Sequence, residues 1–225
     1  MSISTITERF KGAKWAPFHQ PIIIGGAGGI GSWVALELAR MNHELHVYDF
    51  DTIETHNLSG QFFSIKDIGK AKTQAVIENT NMFTQNYNVF PYGEYTSESA
   101  VKPIMIAAFD SMSARKIMYD RWKSVYADDP KALFISPMMA AERLNIYFVT
   151  KDSLSRYEAE LFEDSEVGEM ECSYKATSHV GALSAAMISC AVVNHITNKY
   201  VEECREMPFR ASYTAEMYKF EIEYL

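Results

Sequence analysis

Three glycines, Gly26, Gly28 and Gly31, in the run GGAGGIGS, and two aspartates, Asp49 and Asp51, in DFD about twenty residues on, have types and spacing suited to holding a phosphorylated nucleotide. In a G-x-G-x-x-G turn the first glycine allows the chain to reverse and the second lets backbone approach a phosphate. The third lets helix and strand pack closely, and the N–H groups at the helix start face the anion. An acidic side chain at the end of the next strand, the place of Asp49, accepts hydrogen bonds from ribose hydroxyls. On these residues alone, a nicotinamide dinucleotide and ATP fit equally well.

Such a turn works only between a strand and a helix. Before it stand Ile22, Ile23 and Ile24, an unbroken β-branched run of the kind that a parallel strand buried on both faces requires. After it, Val34, Leu38 and Met41 recur near helical spacing over 32–42, and ELHVYDFD supplies a second strand, completing a βαβ unit whose crossover is right-handed. A second helix is predicted over 68–80 with Asp67 as its N-cap. Strands follow in NYNVFPYGEY and in KPIMIAAFD, which ends on Asp110, then a helix in SARKIMYDRWKSVYA and strands in KALFISPMMA and LNIYFV. Residues 150–172 are strongly acidic with little apolar pattern and read as a loop or lid. HVGALSAAMISCAVVNHITNKYVEEC reads as a buried helix with Cys190 in the core, and SYTAEMYKFEIEYL as a last strand or hairpin. The expected fold is α/β: a Rossmann-like, doubly wound, mostly parallel sheet with helices on both faces and an antiparallel C-terminal extension. Residues 1–20 are an N-terminal arm or helix and 21–225 one nucleotide-binding domain.

At 225 residues with 48% hydrophobic and 22% charged residues, the chain is long enough to bury a sizeable core and has an ordinary globular composition. A formal charge of −8 argues against general nucleic-acid binding, which needs a basic face. No signal peptide or membrane span is read, so a cytoplasmic location is expected. Three cysteines without a CxxC pair give neither a disulfide framework nor a zinc site, and no zinc is expected.

The ordered series DFDTIETHNLSGQFF, DIGKAK and AAFDSMSARK, following the glycine turn, resembles the ThiF/MoeB/HesA superfamily, the adenylyltransferases related to ubiquitin-activating enzymes. Their pattern runs GxGG(I/L)GS, DxDxVxxxNLxRQ, GxxKA, then an aspartate followed by Asn or Ser after a strand. The resemblance covers residues 21–116, and only loosely CSYKATSHVGALSAAMISCAVVNHI beyond. It implies ATP and Mg2+ as cofactors, ATP being held by Gly26, Gly28, Gly29 and Gly31, with Asp49 on ribose beside Asp51. It implies Asn57 as a phosphate or metal neighbour, with Gln61 close by, Lys72 on phosphate, and Asp110 on magnesium beside Ser111. Arg115 matches a family arginine, and Arg9 an arginine offered across a dimer interface. The implied catalytic set is Lys72, Asp110, Asn57 and Arg9, and the implied reaction is attack of a carboxylate on the α-phosphate of ATP with release of pyrophosphate. The carboxylate is expected to be the C-terminus of a small ubiquitin-like or sulfur-carrier protein, and the assembly a homodimer of the minimal bacterial or phage type.

Two departures matter. Gly60 replaces the arginine of NLxRQ, removing a planar donor fork whose loss from such a site costs about 3–4 kcal/mol unless Lys66 or Arg9 substitutes. A non-catalytic nucleotide-binding scaffold or regulator is therefore the alternative, and a nicotinamide oxidoreductase ranks third. Cys172 is the one thiol placed to accept an activated carboxyl, though Glu169, Glu171 and Lys175 give no reason for a depressed pKa. His56 and His179 read as hydrogen-bonded structural histidines.

Overall fold

In its computed structural model the protein is described over residues 10–84, 87–162, 177–201 and 203–225. Eight strands form one sheet: β1 (Pro21–Gly25), β2 (Glu44–Tyr48), β3 (Val89–Tyr92), β4 (Ile104–Ala107), β5 (Leu133–Ala140), β6 (Arg143–Val149), β7 (Arg210–Thr214) and β8 (Lys219–Glu223). Their order is β3-β2-β1-β4-β5-β6-β7-β8. The first five pair in parallel, and β5 to β8 pair antiparallel. The helices are α1 (Gly31–Arg40), α2 (Lys72–Phe83), α3 (Met112–Tyr126), α4 (Leu154–Glu158) and α5 (Ser178–Ile196). This is the expected doubly wound fold, with the antiparallel extension reaching from β6 to β8.

The period-two alternation of β1 sorts the core. Ile22 and Ile24 join Val34 and Leu38 of α1, Val76 of α2, and Val180 and Ile188 of α5 on one face. Ile23 points the other way, to Met118 and Trp122 of α3 and Tyr157 of α4. Both faces of the strand are buried, which is why its sequence shows no polar alternation. On the edge strand β3, Pro91 is opposite Val47 of β2, a position where a missing N–H is tolerated. α5 with its π-helical continuation to Val201 is long and apolar enough to cross a membrane, yet most of it is buried within the domain.

Three local expectations change. Asp67 does not cap α2, which begins five residues later at Lys72; instead Ser64 and Asp67 close a 3-10 turn over Ile65–Asp67 as a reciprocal capping box. Burial opposes ionisation of Asp67, but hydrogen bonds from the Ser64 backbone and hydroxyl, Lys70 and Asn79 outweigh it and hold the carboxyl at about 2. The segment expected to be a loop from 150 contains α4, and residues 163–172 of that acidic stretch, with Cys172, lie outside the described residues. Cys190 is exposed rather than core, because α5 presents one side outward and Cys190 stands on it. In the N-terminal arm, residues 10–20 form turns, with Trp15 and Phe18 packed on the core.

Candidate nucleotide site

The strand order reverses direction between β1 and β4, so their carboxyl ends open a crevice, the position where doubly wound sheets bind ligands. The glycine turn lines one side. Gly26 has φ +88°, and a Cβ there would lie 2.6 Å from the Ala108 carbonyl oxygen, so only glycine fits between the two loops. A Cβ at Gly31 would come within 1.8 Å of the Gly26 carbonyl oxygen, which fixes how closely α1 meets the turn. Gly28 differs: a Cβ there would meet nothing nearer than the Gln61 amide nitrogen, 3.9 Å away, so the space over the turn is open.

Asp49, just past the end of β2, accepts the Ala27 N–H at 2.7 Å with one oxygen and the Asp51 N–H at 2.8 Å with the other. Burial pushes its pKa up, while Lys72 and the two N–H groups pull the other way. Each carboxylate oxygen retains a lone pair for a ribose hydroxyl. Lys72 is brought in by backbone pairing between the 51–53 and 69–72 segments, through Gly69 N–H to Ile53 at 2.8 Å and Lys72 N–H to Asp51 at 3.0 Å. The turn at Gly69 needs φ +84°, which explains the glycine of the GKAK run. Lys72 is buried, and its ammonium meets Asp51 at 2.6 Å. Asp51 is half exposed, and among the described residues it is the cation's one ion-pair partner.

The NLSGQ segment is sewn to the glycine turn by two residues that motif reading passed over. Ser32 donates to the Gly28 carbonyl at 2.7 Å and accepts the Phe62 N–H at 2.9 Å, and the Trp33 indole donates to the Gly60 carbonyl at 3.1 Å. The serine that closes the GGAGGIGS run was the available signal. Asn57 is buried and its side-chain oxygen accepts the Glu54 N–H at 2.8 Å, so it shapes this turn. Gln61 points its amide nitrogen toward Gly28, and its side-chain oxygen is buried without a hydrogen-bond partner among the described residues. An open cradle and a half-exposed ion pair at Lys72 fit a nucleotide phosphate chain, and the unpartnered Gln61 oxygen, an acceptor, fits a sugar hydroxyl.

The loop after β4 forms the other side. β4 ends at Ala107, three residues before the expected end, and Asp110 is exposed in the loop. Ser111 is taken up in capping α3, accepting the Ala114 N–H at 3.1 Å. Arg115 turns inward, 2% exposed: it donates to the carbonyls of Ala107 and Phe109, the latter at 2.6 Å, and to the Ser136 hydroxyl at 3.0 Å. It holds the loop and does not face the crevice. Among the described residues no three His, Cys, Asp or Glu side chains gather to hold a metal. Magnesium does not require such a cage, since one or two carboxylates complete its shell with phosphate oxygens and water, and Asp110 is the donor that fits. Arg9 lies outside the described residues. His56 and His179 are exposed, against Glu54 at 3.4 Å and Glu142 at 3.5 Å.

A parallel sheet in the order 3-2-1-4-5 with a glycine turn, an acidic strand end and a lysine at its switch point defines the class of doubly wound nucleotide-type domains. Within it, the chain belongs to the ThiF family, whose profile matches residues 17–221. A ubiquitin-activating enzyme E1-like protein of Saccharomyces cerevisiae is 32% identical over 104 residues, 42% of this chain and 16% of that protein. The NEDD8-activating enzyme E1 catalytic subunit of the same yeast is 41% identical over 63 residues, 27% of this chain and 21% of that protein. The chain thus matches less than a quarter of the length of either relative. Among solved structures, E. coli MccB with MccA-N7isoASN superposes with TM-score 0.70 at 15% identity, covering 100% of this chain and 72% of that one. PaaA gives 0.68 at 17% identity, covering 91% and 64%. E. coli MccB with ATP gives 0.68 at 16% identity, covering 97% and 65%. These likenesses are of fold.

Proposed function

We propose that the protein is an ATP-dependent adenylyltransferase that activates a carboxylate, the C-terminus of a small ubiquitin-like or sulfur-carrier protein, and releases pyrophosphate. The observation that carries this reading is the meeting of Lys72, Asp51 and Asp49 beside the open space over Gly28. In the reaction a carboxylate oxygen bonds to the α-phosphorus of ATP and the bond to the bridging oxygen of pyrophosphate breaks. Negative charge builds on the leaving group, and Lys72 moves from Asp51 to meet it. Asp49 orients the ribose. Gln61 offers its amide to the phosphate chain, and Gly26 to Gly31 supply backbone donors. Magnesium bound at Asp110 would neutralise phosphate charge. Names of the relatives, activating enzymes for ubiquitin-like proteins and MccB with its MccA partner, support a small protein or peptide as the carboxylate source. A cytoplasmic homodimer completes the proposal.

One feature favours the second reading, a nucleotide-binding scaffold with weakened catalysis. Gly60 is buried, and the Trp33 indole is hydrogen-bonded to its carbonyl, so the NLSGQ segment brings no guanidinium. Calorimetric titration with ATP, with and without magnesium and with NAD as control, tests both. ATP binding strengthened by magnesium, no NAD binding, and a loss of about 100-fold in affinity in Lys72→Ala are expected. NAD binding in place of ATP would overturn the assignment. ATP binding without pyrophosphate release in the presence of carboxylate partners would leave the scaffold reading.

A further inference from the structure

Tyr157 lies on α4, a helix of five residues that no motif marks, and its side chain is 1% exposed. Its hydroxyl donates to the Ser136 hydroxyl oxygen at 2.7 Å. That same oxygen accepts from Arg115 at 3.0 Å, and Arg115 in turn grips the carbonyls of Ala107 and Phe109. The chain of contacts ends one residue short of Asp110. α4 is itself pinned on several sides: Arg156 donates to the Glu223 carboxylate and to the Tyr224 carbonyl at 3.1 Å, and its guanidinium lies over the Phe209 ring at 4.3 Å. Glu158 accepts from Lys123 and from the Tyr119 hydroxyl at 3.0 Å. A tyrosine on so short a helix is held in place by the surrounding elements, so its hydroxyl is a fixed point in the interior.

We infer that Tyr157 is a positioning residue for the nucleotide site: through Ser136 it fixes the Arg115 guanidinium, and through Arg115 the backbone turn that presents Asp110. The physical reason is geometric. Arg115 has to split its donors between the carbonyl that ends β4, one in the loop after it, and a hydroxyl on β5. A hydroxyl whose oxygen is already oriented by Tyr157 offers one acceptor direction instead of several. Removing the phenol oxygen frees Ser136 to rotate, lets the guanidinium shift, and loosens the turn at 107–110, while Lys72, held by its own backbone pairing with the 51–53 segment, stays as it is.

The inference rests on the ATP-binding reading, and the experiment separates the two. ATP affinity is measured by calorimetry with and without magnesium, first in the unaltered protein and then in Tyr157→Phe, Ser136→Ala and the double variant, with the thermal midpoint of each. The expected result is that ATP affinity without magnesium is unchanged within about twofold, while the gain brought by magnesium falls by about five- to tenfold in each single variant. The double variant should fall no further, because the two hydroxyls act in series. An unchanged magnesium gain with a lowered thermal midpoint would make Tyr157 a stability residue and overturn the inference. Equal losses with and without magnesium, or additive losses in the double variant, would overturn it as well. Failure of the unaltered protein to bind ATP would remove the nucleotide reading itself, and is seen before any variant is made.

Discussion

The two loops that face each other across the crevice are built by opposite means. The turn after β1 is shaped by what is absent: at Gly26 and Gly31 a methyl group would collide with backbone, and between them the Gly28 carbonyl is met by the Ser32 N–H and hydroxyl. The turn after β4 is shaped by what is inserted, a buried guanidinium that collects two carbonyls and a hydroxyl. An arginine and a lysine 43 residues apart, Arg115 and Lys72, accordingly do different work. Among the described residues Lys72 keeps one half-exposed partner, Asp51, whereas Arg115 is committed to the fold. The difference teaches that a cation in a binding motif is a ligand group only if its partners in the empty site are fewer or weaker than those the ligand brings.

Substitutions that strike one loop at a time sharpen the contrast. The largest effect is expected from Gly31→Ala, whose methyl would stand 1.8 Å from the Gly26 carbonyl oxygen. Helix and turn must separate, at a cost of about 3 kcal/mol in urea unfolding. An unshifted unfolding midpoint would show that the close approach is dispensable. Next is Arg115→Met, which leaves three acceptors without their donor and should cost about 2 kcal/mol. ATP binding in the absence of magnesium should be spared, the reverse of Lys72→Ala, which removes a ligand group held in an ion pair to a half-exposed carboxylate and should change stability by less than about 1 kcal/mol. If Arg115→Met weakened magnesium-free ATP binding as much as Lys72→Ala, the division of roles would fail. The smallest effect on stability belongs to Gly28→Ala, where the added methyl meets open space and unfolding should shift by no more than about 0.5 kcal/mol. The same methyl stands where a phosphate would approach, so ATP affinity should drop about tenfold. Unaltered affinity would place the ligand elsewhere.

The parts legible in the sequence are those where one local rule decides. Ile22 to Ile24 can form only a strand covered on both sides, and three glycines in fixed register allow one kind of turn after it. Asp67 was misleading because an aspartate before an apolar stretch carries the signature of an N-cap, and Ser64 three residues earlier recruits it into a tighter turn. Cys190 sits in a helix apolar on nearly every side, so composition could not say which side lacks a neighbour. α4 carried no signal, since five residues cannot hold a helix alone and its anchors, Glu223, Lys123 and Ser136, are far away in sequence. The direction of Arg115 was equally hidden, for a motif records that an arginine is present and says nothing of where its side chain goes.

Pro91 has a consequence beyond its own strand. A sheet that begins with a proline-bearing strand offers a broken row of donors at that end, so a further strand cannot pair along β3 without leaving a gap. At the opposite end β8 has no proline, and Lys219, Glu221 and Glu223 alternate with Phe220 and Ile222, which are 48% and 47% exposed. Among the described residues the two ends of the sheet are therefore unlike, one interrupted by covalent geometry and the other guarded by alternating charge. Lengthening of the sheet, by a partner or by misassembly, is favoured at the β8 end.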